Sequence, residues 1–256
     1  MSQSLLPQPS ADWALFLDFD GSIVELAETP GAVHVDAALL TLLERLEISL
    51  GGAVAIVSGR PIAQLDSYLA PHRFPTAGLH GLERRHANGT LNRSSGPNHR
   101  LRDIVSHLRD FAADHPGVLV EDKEATVALH YRGAPQFGDA CREIMHDLVG
   151  GCVDDLGILA GKMVYEVKPA NADKGHALDA FMGETPVAGR TPVFCGDDIT
   201  DEPAFVAANE LGGLSIRVGA NGATAAQWRV ADVGALYAWL ETIAARLGDA
   251  SAAGHR

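Results

Sequence analysis

Residues 13–22 read WALFLDFDGS, and the fold class turns on how this stretch is built. Trp13 to Phe19 is a nearly continuous apolar run, shorter than a core helix and without the polar alternation of a half-exposed strand. It reads as a strand buried on both faces, the form strands take in a parallel sheet covered by helices. Asp18 and Asp20 close the run. Side chains two apart on a strand leave by the same face. Both carboxylates therefore emerge together at the strand's C-terminal end, where open α/β sheets bind ligands. Gly21 permits the tight turn that must follow. Two unpartnered carboxylates at a buried strand end would be destabilising, and a bound cation removes the conflict.

Working outward, the same rhythm recurs. A helix-period segment runs from Asp36 to Glu47, with Leu39, Leu40, Leu42, Leu43 and Leu46 as its apolar positions. Ala53–Val57 (AVAIV) is a second buried strand, and Pro61 then opens a helix at its first turn. Thr191–Cys195 (TPVFC) is a third strand and Leu214–Val218 a fourth. A last helix spans Gly234–Leu247, striped by Leu236, Trp239, Leu240 and Ile243. The middle differs. A helix over Arg102–Ala113 precedes two strands within Val118–Arg132, joined by a turn near Asp122–Glu124. A helix over Phe137–Val149 and a hairpin over Ile158–Lys168, turning near Gly161, complete an α-β-β-α-β-β order. The expectation is an α/β protein. A Rossmann-like core with a parallel sheet takes residues 1–98 and 167–256, and an α+β domain is inserted at 99–166.

The chain has 256 residues, 46% of them hydrophobic, enough for one large core and a smaller one. Its formal net charge of -13, with no basic stripe, argues against nucleic-acid binding. A phosphate ligand would need local positive charge from a divalent metal and a few placed Lys or Arg. Cys141, Cys152 and Cys195 match neither a zinc site nor a disulfide framework and read as reduced thiols. The start MSQSLLPQPSADW lacks a basic n-region and an apolar core, so it is not a signal peptide. No stretch approaches the ~20 apolar residues of a membrane span. These features point to a cytoplasmic monomer that takes a small molecule, with no nucleic-acid or membrane partner.

Two more strand ends carry chemistry. Ser58 follows the second strand in VSGRP, where a hydroxyl beside backbone N–H groups suits a phosphoryl oxygen. A helix N-cap is the plainer role for it. Asp197 and Asp198 follow the third strand in FCGDDITDE, with Asp201 and Glu202 close behind. A hard cation such as Mg²⁺ prefers such oxygens; a helix-capping acidic turn is the alternative. Lys174, in NADKGHAL, stands at a helix start where its ammonium could neutralise a nucleophile, or could simply be exposed. Singly these signals are modest. In order, three strand ends deliver a carboxylate pair, a hydroxyl and another carboxylate pair, with a lysine before the last.

With DFDGS at 18–22, SGR at 58–60, Lys174 in DKG and GDD at 196–198, the sequence resembles the haloacid dehalogenase superfamily of phosphatases. GLHG at 78–81, VEDK at 120–123, ALHYR at 128–132, YEVKP at 165–169 and GDDITDE at 196–202 look like trehalose-6-phosphate phosphatases. The resemblance implies Asp18 as the nucleophile that forms an aspartyl-phosphate, and Asp20 as the acid that protonates the leaving sugar oxygen and then activates water. It implies Mg²⁺ held by Asp18, Asp197 and the backbone carbonyl of Asp20, with Asp198 supporting the metal shell or Lys174. Ser58 and Lys174 would hold phosphoryl oxygens, and the insert would be a C2-type cap closing over the sugar. Two positions depart from the family pattern: Ser22 stands for threonine and Asp173 for asparagine, the latter adding negative charge beside Lys174.

Strand alternation within the insert adds a check. Glu121 with Lys123, His130 with Arg132, and Glu166 with Lys168 each share a face. Such pairs suit sugar hydroxyls through charge-assisted hydrogen bonds, with a solvated sheet face as the alternative for any one pair. The expected substrate-binding set is thus Glu121, Lys123, Arg132, Glu166 and Lys168, joined by His80 and Arg60. Sucrose 6-phosphate or a glycosylglycerate phosphate are alternative substrates with the same cap. A phosphomutase, and a catalytically inactive regulatory module of trehalose metabolism, are further readings. Intact Asp18, Asp20, Lys174 and Asp197 argue against the inactive one.

Overall fold

The computed structural model describes residues 6–27, 33–93, 99–123, 125–150, 156–170 and 172–253. The chain forms two compact units, residues 1–92 with 173–256, and residues 93–172.

In the first unit, β1 (Trp13–Leu17) lies near the middle of an eight-stranded sheet. Along this sheet the strands run β12 (Trp228–Val230), β11 (Leu214–Val218), β10 (Thr191–Gly196), β1, β2 (Val54–Val57), β3 (Thr76–Gly78), β4 (Glu83–Arg85) and β5 (Leu91–Arg93). β1 pairs in parallel with β10 and with β2, Leu15 standing opposite both Val193 and Val54. Every residue of β1 and β2 is buried, as expected of strands covered on both faces. The helices are α1 (Ala37–Ser49), α2 (Ile62–Leu69), α5 (Lys174–Met182), α6 (Glu202–Glu210) and α7 (Val233–Ala253), with α3 and α4 in the second unit. Asp36 caps α1 by accepting the Leu39 N–H at 2.8 Å, and Leu39, Leu42, Leu43 and Leu46 form its buried stripe. Phe16, Phe19, Phe181, Phe194 and Phe205 are fully buried in the core, each worth roughly 1.5–3 kcal/mol.

Three differences from the sequence reading position the site. The first strand stops at Leu17 rather than Phe19. The Phe19 carbonyl instead accepts the N–H groups of Ile23 and Val24, so the chain turns over Asp18–Val24 while Asp18 N still donates to Cys195 O at 2.9 Å. The sheet is also not wholly parallel, because β4 runs antiparallel to β3. β4 reads Glu-Arg-Arg and carries no apolar pattern. It forms because buried Arg85 donates to the Phe74 carbonyl and to Asp66, so its charge is satisfied inside the fold. Finally, the last helix continues through Ala253.

The second unit is a four-stranded antiparallel sheet, β6 (Leu119–Asp122), β7 (Val127–His130), β9 (Val164–Pro169) and β8 (Leu156–Gly161) in spatial order, with α3 (His99–Asp114) and α4 (Gly138–Val149). Val127, Leu129 and Val167 share one buried cluster with Leu101, Ile104 and Leu108 of α3 and with Cys141 and Met145 of α4. A boundary after residue 166 would divide β9, whereas the compact unit carries this strand whole. The other expected boundary, after residue 98, borders residues 94–98, which lie outside the described residues, as do Glu124 and Cys152. Cys141 and Cys195 are free and buried. Among the described residues no helix is long and apolar enough to cross a membrane.

Candidate active site

Because β1, β2 and β10 are parallel neighbours, their C-terminal ends deliver Asp18, Ser58 and Asp197 to one edge. Asp18 accepts from Ser22 Oγ at 2.8 Å and from Lys174 Nζ at 2.6 Å. The same Nζ reaches Asp201 Oδ1 at 2.6 Å. The other Asp201 oxygen accepts the backbone N–H groups of Asp197 and Asp198, each at 2.9 Å. Asp18, Lys174 and Asp201 are all buried. Lys174 opens α5, whose N-cap is Asp173. The carboxylate of Asp173 is engaged by the backbone N–H and Nδ1 of His176, both at 2.8 Å, so the acid that departs from the family pattern serves as a helix cap.

Burial pushes the Asp18 carboxyl well above its ordinary range, Asp201 and Asp197 add to this, and Lys174 opposes it. For Lys174, burial works against the charge, but Asp18 and Asp201 outweigh it and hold the ammonium protonated beyond the usual lysine range. Oxygens of Asp18, Asp197 and Asp201 lie within 4.8 Å of one another. An all-oxygen set of this kind fits a hard divalent cation. Gly21 is part of the fit: its φ is +78°, and a Cβ there would stand 2.4 Å from Asp197 Oδ2. Asp201 is fully covered, whereas Asp18 and Asp197 keep slight exposure, so these two are better placed for an ion that retains waters.

The carboxylates of two expected metal residues stand outside this cluster. Asp198 heads the 3₁₀ turn Ile199–Asp201, in a reciprocal cap with Asp201. Asp20 is gripped by Arg60, whose Nε and Nη2 donate to its two oxygens at 2.6 and 2.7 Å. Ser58 is buried, and its Oγ accepts the Arg60 N–H at 3.1 Å. His80 is buried in the turn Leu79–Gly81, with Leu79 and His80 both left-handed at φ 49° and 57°. Its ring packs on Gly59, where a Cβ would meet Cε1 and Nε2 at 2.8 Å. Gly81 in turn sits over Ala177 and the Asp173 carbonyl. The GLHG turn thus braces both the Ser58–Arg60 loop and the start of α5. The sequence marks Asp201 only as a nearby acid. Its spacing, four residues after Asp197 across a capped turn, is the available signal.

In the second unit, Glu121 and Glu166 are each in register with Ala128, one on either side. They lie on the sheet face opposite Val127 and Val167. Glu121 pairs with His130 Nε2 at 2.9 Å, which lowers its carboxyl pKa through that hydrogen bond. Lys123 lies 3.3 Å from both oxygens of buried Glu166, and Thr126 Oγ1 donates to Glu166 at 2.5 Å. Lys168 donates to the Ala172 carbonyl. Arg132 Nη2 donates to the Lys162 carbonyl at 3.5 Å.

Residues 16–233 match the family model described as trehalose-phosphatase. The chain belongs to the trehalose-phosphatase family. Among members of this family it is 42% identical over 241 residues to the trehalose-6-phosphate phosphatase of Escherichia coli (strain K12), covering 94% of this chain and 90% of that one. It is 45% identical over 208 residues to a probable trehalose-phosphate phosphatase of Sinorhizobium fredii, covering 81% and 78%. The crystal structure of a trehalose-6-phosphate phosphatase related protein aligns with TM-score 0.74 at 28% identity, over 93% of this chain and 99% of that one. The fold is that of haloacid dehalogenase-type phosphatases, represented by a Bacteroides thetaiotaomicron member at TM-score 0.63 and 19% identity, over 94% and 99% of the two chains.

Proposed function

We propose that this trehalose-phosphatase family member hydrolyses trehalose 6-phosphate to trehalose and phosphate through an aspartyl-phosphate on Asp18, with Mg²⁺ as cofactor. The observation that carries the reading is the 2.6 Å contact between Lys174 Nζ and Asp18 inside a buried three-carboxylate cluster. Phosphate monoesters are among the slowest substrates to hydrolyse unaided, and a covalent intermediate divides the reaction into two displacements. In this reading Asp18 attacks phosphorus, with Ser22 and Lys174 fixing its carboxylate. Ser58 and Lys174 hold the phosphoryl oxygens. Asp20 protonates the departing sugar oxygen and then activates water to attack phosphorus in the Asp18 acyl phosphate, which releases phosphate and restores the carboxylate. Asp18 and Asp197, with the Asp20 carbonyl, would hold Mg²⁺, which when bound neutralises charge on the phosphoryl oxygens. Asp198 serves as a turn cap and Asp201 holds Lys174.

Residues 93–172 act as the sugar-reading cap in this proposal. Glu121, Lys123, Glu166, Lys168 and Arg132 supply charged partners for hydroxyls, and Lys123 with Glu166 are already set against each other at 3.3 Å. The protein is proposed to work as a cytoplasmic monomer on a small sugar phosphate. A catalytically inactive regulatory module is the alternative reading. The complete Asp18–Lys174–Asp201 network supports catalysis instead.

The test is phosphate release from a panel of sugar phosphates. Trehalose 6-phosphate should lead sucrose 6-phosphate and glycosylglycerate phosphates in kcat/KM by at least about tenfold, roughly the loss of one good polar contact. Asp18→Asn should fold normally and lose at least ~10³-fold in kcat. Turnover that survives this change would remove the nucleophile.

A further inference from the structure

The notable contact outside the Asp18 cluster is the one between Arg60 and Asp20. Arg60 Nε donates to Asp20 Oδ2 at 2.6 Å and Arg60 Nη2 to Asp20 Oδ1 at 2.7 Å. Such a fork fixes the plane of a carboxylate as well as its position. Arg60 is itself held at several points. Its N–H donates to Ser58 Oγ at 3.1 Å, and its carbonyl accepts the Leu79 N–H at 3.1 Å. Its guanidinium carbon lies 5.8 Å from the ring centre of Phe19 and 5.4 Å from that of Tyr68. Those two rings stack on each other at 5.8 Å with an interplanar angle of 26°. Phe19 is fully buried between the two catalytic acids in sequence, and Tyr68 comes from α2. The Arg60 side chain keeps 10% exposure, while that of Asp20 keeps 29%. The arginine is thus enclosed and the acid it holds remains accessible.

We propose that Arg60 is a positioning residue that sets the orientation of Asp20 toward the leaving-group oxygen, with the stacked Phe19–Tyr68 pair holding the guanidinium in place; the fork holds the ionised carboxylate, and to act as the acid Asp20 keeps one oxygen on Arg60 while the other takes up the proton it delivers. This rests on the reading of Asp20 as the proton donor given above. It differs from a role for Arg60 in gripping the substrate's phosphoryl group, and it gives Tyr68 a part that its helix position does not suggest. A positioned general acid contributes about 10²–10⁴-fold, and displacement by ~1 Å can forfeit ~10²-fold of rate. The benefit depends on the leaving group. A sugar alkoxide must be protonated as it departs, whereas p-nitrophenolate leaves without help. A phosphoryl-binding or purely structural role would affect both substrates alike, because both present the same phosphoryl group.

The experiment compares kcat/KM for trehalose 6-phosphate and p-nitrophenyl phosphate in wild type, Arg60→Ala, Arg60→Lys and Tyr68→Leu, with Mg²⁺ present. In a two-step mechanism kcat/KM reports only steps through departure of the first product, so the later use of Asp20 on water does not enter. Arg60→Ala should lose at least about 30-fold more on the sugar phosphate than on the aryl phosphate. Arg60→Lys keeps the charge but not the fork, and should show the same selective loss in smaller degree. Tyr68→Leu should lose about 3–10-fold selectively, as a loosened clamp would. In an Asp20→Asn background, Arg60→Lys should produce no further selectivity, since the two residues act as a unit. If Arg60→Ala does not fold, the Lys and Tyr68 variants decide by the same ratio. Equal losses on both substrates, or a selective effect that persists without the Asp20 carboxyl, would overturn the assignment. A wild type that releases phosphate from neither substrate would instead defeat the phosphatase reading itself.

Discussion

Lys174 Nζ and Asp201 Oδ1 meet at 2.6 Å, 27 residues apart in sequence, with side chains 3% and 0% exposed. Asp201 therefore shares the ammonium with Asp18, and its second oxygen ties down the backbone of Asp197 and Asp198. Asp201→Asn keeps an acceptor for those amides but removes the charge that balances Lys174. The ammonium would then turn wholly to Asp18 and blunt it as a nucleophile. We expect kcat to fall about 10–10²-fold, and stability to fall by up to ~3–5 kcal/mol as a buried pair is broken. Steady-state kinetics with thermal melts check both, and a wild-type kcat would show that Asp201 does not govern Lys174.

Gly21→Ala should disable the site through geometry. The added methyl needs the space of the Asp197 carboxylate, 2.4 Å away, at a φ of +78° that alanine resists. Gly89→Ala is the comparator, with φ +84° and nothing within 4 Å. Both changes carry a backbone penalty of about 1 kcal/mol. Only Gly21→Ala should also lose ~10²-fold in kcat/KM, as for a displaced catalytic group. Similar activities for the two variants would detach Gly21 from the acidic cluster.

Chelation tests the charge argument. Because oxygens of Asp18, Asp197 and Asp201 cluster within 4.8 Å of one another, EDTA should stop turnover and added Mg²⁺ should restore it. Asp197→Asn should raise the Mg²⁺ concentration needed for half-maximal rate by about tenfold or more, as expected for loss of one anionic ligand. Hydrolysis indifferent to EDTA would contradict the role of the cluster.

Glu121 gives a pH signature to the second unit. The His130 hydrogen bond holds its folded pKa below the ordinary 4.5, so the unfolded chain binds this proton first as pH falls. The stabilisation is complete above the ordinary value and is lost as pH drops through the lower, folded one. As pH falls below the ordinary 4.5, the melting temperature of wild type should fall more steeply than that of Glu121→Gln. Parallel curves would mean that the pair contributes nothing to folding.

How far these features were legible beforehand depends on the kind of signal. β1, β2 and the centre of β10 announce themselves as short apolar runs, because a strand buried on both faces leaves little room for polar side chains. β4 gives no such signal. Glu83, Arg84 and Arg85 look like surface, and Arg85 is buried only because Asp66 and the Phe74 carbonyl are waiting for it. The chemical groups of the site stand in recognisable motifs, yet their division of labour does not. Asp198 and Asp201 are equally acidic in GDDITDE; the capped turn sends one to cap and the other to Lys174.

What the amino-acid order determined alone was the set of buried strands and the acids, hydroxyl and lysine at their ends, since periodicity and burial are local properties of the chain. Which acid meets which cation was decided only by the tertiary structure. Lys174 reaches Asp18 across 156 residues and Arg60 reaches Asp20 across 40, separations that strand order and helix docking close but no local pattern encodes. Charge pairing in a buried site is set by distance in space, because Coulomb energy in a low-dielectric interior changes steeply over a few ångströms.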